Sequence, residues 1–257
     1  MPSLRQAVRS ATAAGEALPW IPAALAKHGV ALRRGHLHVV ASAPGVGKSV
    51  FAINTVLYNR DVPTLYLAMD GDANSMSMRV LQAYLGETRE SVKQDMDFGA
   101  PAIDVALATI DWVRWDFPNS PDMEEIRDRV WAFAEIFGEF PHLIVVDNLM
   151  DVVDEQSAAA YTDAESALTA LARAANSAVL CLAHVIGLHE GGREVIPLNG
   201  VMFKATKKSS LILSMHPGAF SHDLFVSVLK NRDGPADPSG VGVRAKLTVD
   251  YARMELK

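Results

Sequence analysis

From Leu37 onward, short apolar runs alternate with segments of helical period. The runs are Leu37–Ala41, Thr64–Met69, Leu143–Asp147, Ala178–Ala183, Leu211–Met215, Leu224–Leu229 and Ala245–Val249, and they read as strands. Helices are predicted from Gly47 through Tyr58, near Asn74–Leu85, over Pro121–Phe137 and near Thr162–Ala175. In the third, Ser120 can cap the helix and Pro121 suits its first position. Asp122, Glu124 and Glu125 then complement the positive end of the dipole. Strands alternating with helices imply βαβ units and a mainly parallel α/β sheet covered on both faces. Hairpin-like spacing around Asp233–Gly242 predicts antiparallel strands added at the C-terminal edge. Residues 1–20 read as an arm or linker, a short amphipathic helix (Leu4, Val8, Ala11) followed by a loop through Gly15 and Pro19; residues 21–257 form the main domain.

Composition narrows the class. The 257 residues suffice for a large core, and 49% apolar with 21% charged residues is ordinary for a globular chain. No apolar run is long enough to cross a bilayer, the N-terminus does not read as a secretory signal, and a lone cysteine, Cys181, suits a reducing cytoplasm. A net charge of −6 leaves nucleic acid open as a partner, because phosphate binding depends on a local patch. The histidines show no metal-ligand spacing, so no zinc site is expected.

Candidate chemistry begins with Ala41–Ser49, ASAPGVGKS, between an apolar strand and a helix. A triphosphate needs backbone N–H donors around it, a helix N-terminus aimed at it, a mobile cation and a hydroxyl for Mg²⁺. Ala43, Pro44, Gly45, Val46, Gly47, Lys48, Ser49 and Val50 are the candidate ATP-binding residues. Gly45 and Gly47 let the backbone approach closely, Lys48 would reach the β- and γ-phosphates, and Ser49 would ligate Mg²⁺. The usual G-x-x-x-x-G-K-[ST] pattern has its first glycine where this chain has Ser42.

Such a site also needs an acidic group at a second strand end, and Asp147 closes the run LIVVD as a candidate metal residue. A further carboxylate must orient the attacking water; Asp70 is the first candidate and Asp72 the reserve, both at the end of Thr64–Met69. His184 ends Ala178–Ala183 and could bond the γ-phosphate. Lys230 and Arg232 follow Leu224–Leu229 at alternate positions, so both can face one anion, within the subunit or on a neighbour.

Together these residues resemble the RecA-like motor domain of DnaB-type replicative helicases, including the phage primase–helicases, over roughly residues 20–257. VVASAPGVGKSVFAIN resembles the family's Walker A strand, loop and helix, which also lacks the first glycine. TLYLAMDGDANSMSMR resembles the segment carrying the catalytic glutamate, with Asp70 in its place, and LIVVDNLMDV resembles the Walker B strand. ALTALARAANSAVLCLAHV resembles the sensor strand, and KNRDGP the Lys-x-Arg-x-Gly motif whose cations reach the ATP of an adjacent subunit. The resemblance implies a homo-oligomer, a hexameric ring or helical assembly, with ATP and Mg²⁺ at subunit interfaces, moving on single-stranded DNA in the bacterial cytoplasm, possibly encoded by a phage.

Two departures stand out. Asp70 is one methylene shorter than glutamate, a displacement that can cost about 10²-fold in rate. The DNA-facing loop signature is replaced by GLHEGGREVIPLNGVMFKATKKSS, which retains cations: Arg193 and the candidate DNA-binding residues Lys204, Lys207 and Lys208. Two other functions fit the same core: a filament-forming recombinase or annealing ATPase, and a regulatory or loading protein that uses ATP as an assembly switch.

Overall fold

A computed structural model describes residues 15–69, 71–153, 157–192, 194–201, 207–220 and 222–257. After a short helix, α1 (Ala23–Ala26), the chain runs β1 (Leu37–Ser42), α2 (Lys48–Tyr58), β2 (Thr64–Ala68), α3 (Ala73–Leu85), α4 (Arg89–Asp97), α5 (Pro101–Thr109) and β3 (Val113–Asp116). It continues α6 (Met123–Phe137), β4 (Leu143–Asp147), α7 (Ala158–Ala174), β5 (Ala178–Ala183), β6 (Leu211–Pro217), β7 (Asp223–Asn231), β8 (Arg244–Asp250) and β9 (Glu255–Leu256).

The strands form one sheet in the order β3-β2-β4-β5-β1-β6-β7-β8-β9. Pairing is parallel from β3 through β6 and antiparallel from β6 through β9. Every residue of β1, β2, β4 and β5 is buried, as expected where helices cover both faces of parallel strands. β8 instead alternates exposed and buried residues, since one of its faces meets solvent. All seven predicted runs are strands, and the antiparallel addition lies at the expected edge.

Periodicity does not reveal residues 86–116, which form α4, α5 and β3. α4 is RESVKQDMD and buries only Val92, so its polar sequence carries little helical stripe. These helices cover α3 through a separate apolar cluster of Met78, Leu81, Val92, Ile103 and Ala106. The start of α6 also differs from the expectation. Its cap is Asp122, not Ser120: Asp122 Oδ1 accepts from Glu125 N at 2.8 Å, and Glu125 Oε2 accepts from Asp122 N at 3.1 Å. This reciprocal pair satisfies two donors at once, which Ser120 followed by Pro121 cannot do. α7 begins earlier than expected, capped by Ser157.

The expected arm helix at residues 4–11 lies outside the described residues. Residues 15–18 are bonded to the main body, with Gly15 N donating to Arg34 O and Leu18 N to Leu32 O. Among the described residues, no helix is long and apolar enough to cross a membrane.

Candidate active site

The carboxyl ends of β1, β2, β4 and β5 converge on a cleft of about 330 Å³, lined among others by Gly45, Gly47, Lys48, Ser49, Asp147 and His184. A crevice outside the carboxyl ends of parallel strands is the usual ligand position in open α/β sheets. The loop after β1 turns through Gly45 (φ 76°) and Gly47 (φ 114°), and α2 starts at Lys48, with no side chain capping it. Its first amides are therefore free of side-chain caps at the mouth of the loop, the arrangement that receives anions. Gly47 is required twice over: its φ is left-handed, and a Cβ there would lie 3.3 Å from Tyr251 Cε1.

Ser42 explains its own departure from the usual glycine. It is the last residue of β1 and so has extended backbone, and its buried hydroxyl donates to Ala43 O at 2.9 Å. Lys48 folds over the same segment, its ammonium donating to Ser42 O at 3.1 Å and reaching Ser42 Oγ and Ala43 O at 3.4 Å.

Ser49 Oγ donates to Asp147 Oδ2 at 3.0 Å, joining the two predicted metal residues. A third group, absent from the sequence reading, binds the same oxygen: Tyr66 OH donates to Asp147 Oδ2 at 2.7 Å. Burial pushes the Asp147 carboxyl above its ordinary range, opposed by the Tyr66 and Ser49 donors and by the charges of Lys48 and Arg79. Burial, and then the Asp147 charge, push the Tyr66 phenol well above its usual value. A hydroxyl and a carboxylate side by side are hard oxygen donors of the kind Mg²⁺ takes.

His184 lines the cleft directly after β5, and Arg79 enters it from α3. Asp70 lies outside the described residues. Asp72 caps α3, accepting from Ser75 N and Ser75 Oγ at 2.9 Å each, and those bonds hold its carboxyl below the usual range. The cleft is closed on one side by the turn between β8 and β9. Tyr251 OH donates to Val46 O at 2.9 Å, Gln82 Nε2 to Ala252 O at 2.8 Å and Asn54 Nδ2 to Met254 O at 2.7 Å. Gly192, after β5, packs on the loop from another side; a Cβ there would stand 3.0 Å from Ala43 Cβ.

Lys230 and Arg232 are elsewhere. β7 runs antiparallel, so Lys230 pairs with Ile212, itself opposite Val39, and Arg232 N donates to Ser210 O. Both cations thus sit at the amino edge of the parallel strands. At 3.3 Å per residue and 4.8 Å per strand, Arg232 is about 17 Å along the strands and about 10 Å across from where this chain's own loop begins. Lys230 Nζ donates to Lys207 O and Arg232 Nη2 to Lys208 O, each at 3.2 Å. Burial and the Arg232 charge lower the Lys230 pKa, against the Glu165 charge. Glu165, a buried carboxylate of α7, holds the same segment, accepting from Lys208 N at 2.9 Å and from Ser209 N and Ser209 Oγ at 3.0 Å. Lys207 and Lys208 are exposed beside the two cations; Lys204 and Arg193 lie outside the described residues.

Sequence reasoning missed Tyr66, Arg79, Tyr251, Gly192 and Glu165. Tyr66 left a signal, since a phenol inside an otherwise apolar strand run needs a buried partner. Arg79, Tyr251, Gly192 and Glu165 left none that spacing could read.

No family model matches the sequence. The chain is 35% identical over 249 residues to the gene 65 protein of Mycobacterium phage L5, spanning 92% of this chain and 91% of that protein. The gene 65 protein of Mycobacterium phage D29 is 32% identical over 229 residues, 84% of this chain and 94% of that one. Among solved structures, a helicase ATPase domain superposes with a TM-score of 0.79 at 13% identity, over 98% of this chain and 94% of that chain. A DnaB-like replicative helicase, in a structure describing its interactions with primase, gives 0.77 at 13% identity, over 98% and 66%. The RadB recombinase gives 0.61 at 15% identity, over 91% and 96%. The fold is therefore the RecA-like one of DnaB-like helicase ATPase domains, and by sequence the chain belongs to the family of the mycobacteriophage gene 65 proteins.

Proposed function

We propose that this protein is an ATP-driven motor of the DnaB type, hydrolysing ATP between subunits of a homo-oligomer and moving on single-stranded DNA in the host cytoplasm. The observation that carries this reading is the separation of two half-sites. Lys48, Ser49, Asp147 and His184 surround one cleft, whereas Lys230 and Arg232 face outward at the opposite edge, beyond reach of it. Cations so placed can serve a phosphate only on another subunit.

The loop amides and Lys48 bind the triphosphate, His184 bonds its terminal phosphate, and Tyr251 offers an aromatic wall beside the loop for the base. Ser49 and Asp147 hold Mg²⁺, which when bound neutralises phosphate charge. Asp70 orients the attacking water, and a neighbour's Lys230 and Arg232 stabilise charge on the departing phosphate oxygens. Lys204, Lys207 and Lys208 grip backbone phosphates of DNA, so affinity falls steeply with salt. A nucleotide-switched loading protein is the second reading, favoured by aspartate standing where the resembled helicases carry the longer glutamate.

ATPase rate with and without single-stranded DNA, measured alongside oligomeric mass, tests this. A motor shows ATP-dependent assembly and turnover raised at least about tenfold by DNA. Assembly with turnover indifferent to DNA sinks the motor and selects the switch.

A further inference from the structure

We propose that Tyr66 is a positioning residue of the metal site, its phenol holding the Asp147 carboxylate in the orientation that receives Mg²⁺. The inference rests on the reading that Asp147 and Ser49 hold that ion.

Register makes the contact possible. β2 and β4 are parallel, with Ala68 opposite Asp147 and Tyr66 opposite Val145, so the Tyr66 side chain reaches forward along the neighbouring strand to the carboxylate. The ring is fully buried and lies against Trp115 of β3, with centroids 4.7 Å apart and planes inclined by 33°. A phenol held on its face by a second ring has little freedom, so its hydroxyl offers a fixed donor. Ser49 donates to the same oxygen from α2, and the two bonds on Oδ2 set the plane of the carboxylate. Asp147 Oδ1 is thereby directed by the protein before any ion arrives. The ordering cost falls on folding rather than on binding, which is how hydrogen-bonded ligating carboxylates gain metal affinity.

A purely structural role is the competing explanation, in which the carboxylate merely satisfies a buried hydroxyl. The two differ in what deletion of the hydroxyl does to Mg²⁺. In the full-length chain, binding of a fluorescent ADP analogue is titrated against Mg²⁺ and also measured in EDTA, with a thermal melt alongside. Tyr66→Phe keeps the ring on Trp115 and should raise the Mg²⁺ concentration for half-saturation by about tenfold or more, within the 10- to 100-fold typical of such partners. Affinity in EDTA should stay within about twofold. Placed in an Asp147→Asn background, the same change should add no further Mg²⁺ shift, because the pair acts as one unit. Tyr66→Leu, which also removes the hydroxyl, should shift in the same direction and serves if Tyr66→Phe folds poorly. Unchanged Mg²⁺ dependence in hydroxyl-free protein that melts cooperatively overturns the proposal, as does an equal shift in the Asp147→Asn background. A wild-type protein whose nucleotide binding ignores Mg²⁺ would instead refute the metal reading of Asp147 itself.

Discussion

At the carboxyl edge of the parallel strands, Ser49 and Tyr66 converge on one oxygen of Asp147 and Lys48 lies buried over the loop it belongs to. At the amino edge, Lys230 and Arg232 reach the carbonyls of Lys207 and Lys208 from partly or fully exposed positions. The first edge is organised by charges and hydroxyls within a few residues of strand ends, inside a cleft. The second is organised by a strand that reverses direction and by a buried carboxylate, Glu165, that fastens the segment the cations touch. A bond from an exposed cation to a carbonyl can be exchanged for one to a phosphate oxygen without leaving a charge stranded in the core. The contrast teaches that one edge is a finished receptor and the other a donor of charge to something outside the subunit.

The sharpest way to break that contrast is Arg232→Ala. If Arg232 acts only on a neighbour, turnover should fall about 10³-fold or more, while ATP affinity measured by fluorescence quenching stays within about twofold. Mixing Arg232→Ala with Lys48→Ala subunits should recover part of the turnover, because each interface can then combine an intact loop with an intact finger; no recovery would place both residues in one site. Lys48→Ala is expected to cost about 10²-fold in nucleotide affinity, the loss of a charged donor to phosphate at several kcal/mol. Unchanged affinity would remove the phosphate loop from the explanation.

Smaller effects separate the edges by stability. Glu165→Ala strips the acceptor from two backbone amides and a hydroxyl, and should cost about 2–3 kcal/mol. At this chain length that lowers Tm by about 5–10 °C. It should reduce turnover through Lys230 and Arg232 while sparing ATP affinity. The smallest expected effect is in acid. His38, at the amino edge, is fully buried; its Nε2 accepts from Arg33 N and its Nδ1 donates to Val179 O, each at 3.0 Å. Burial holds its pKa down to about 3, whereas in the unfolded chain it titrates near 6.5. Between those values the unfolded state binds the extra proton, so stability falls as pH drops below about 6.5 and is insensitive to this group above it. Melting temperatures at pH 7 and pH 5 should differ less in His38→Gln than in the native protein.

Much of the molecule is legible in the sequence where chemistry is local. The seven apolar runs, the phosphate loop and the Asp147 strand end are contiguous patterns whose meaning depends on spacing alone. The start of α6 is not, because Ser120-Pro121 and the Asp122–Glu125 box are both plausible signals and only the reciprocal bonding decides between them. α4, α5 and β3 are illegible for a different reason. A polar helix and a short edge strand take their stability from packing on α3 and β2 rather than from their own periodicity.

The sequence by itself determined that a triphosphate loop, a metal-side carboxylate and a Lys-x-Arg pair exist in this chain, since each is written in residues one to nine positions apart. Only the tertiary structure decided that the pair stands on the opposite edge from the loop, because that follows from β7 running against β6. It likewise decided that Tyr66 completes the Asp147 site and that Tyr251 walls the cleft, contacts spanning 81 and 205 residues of chain. Such contacts depend on strand order and register, which no local pattern encodes.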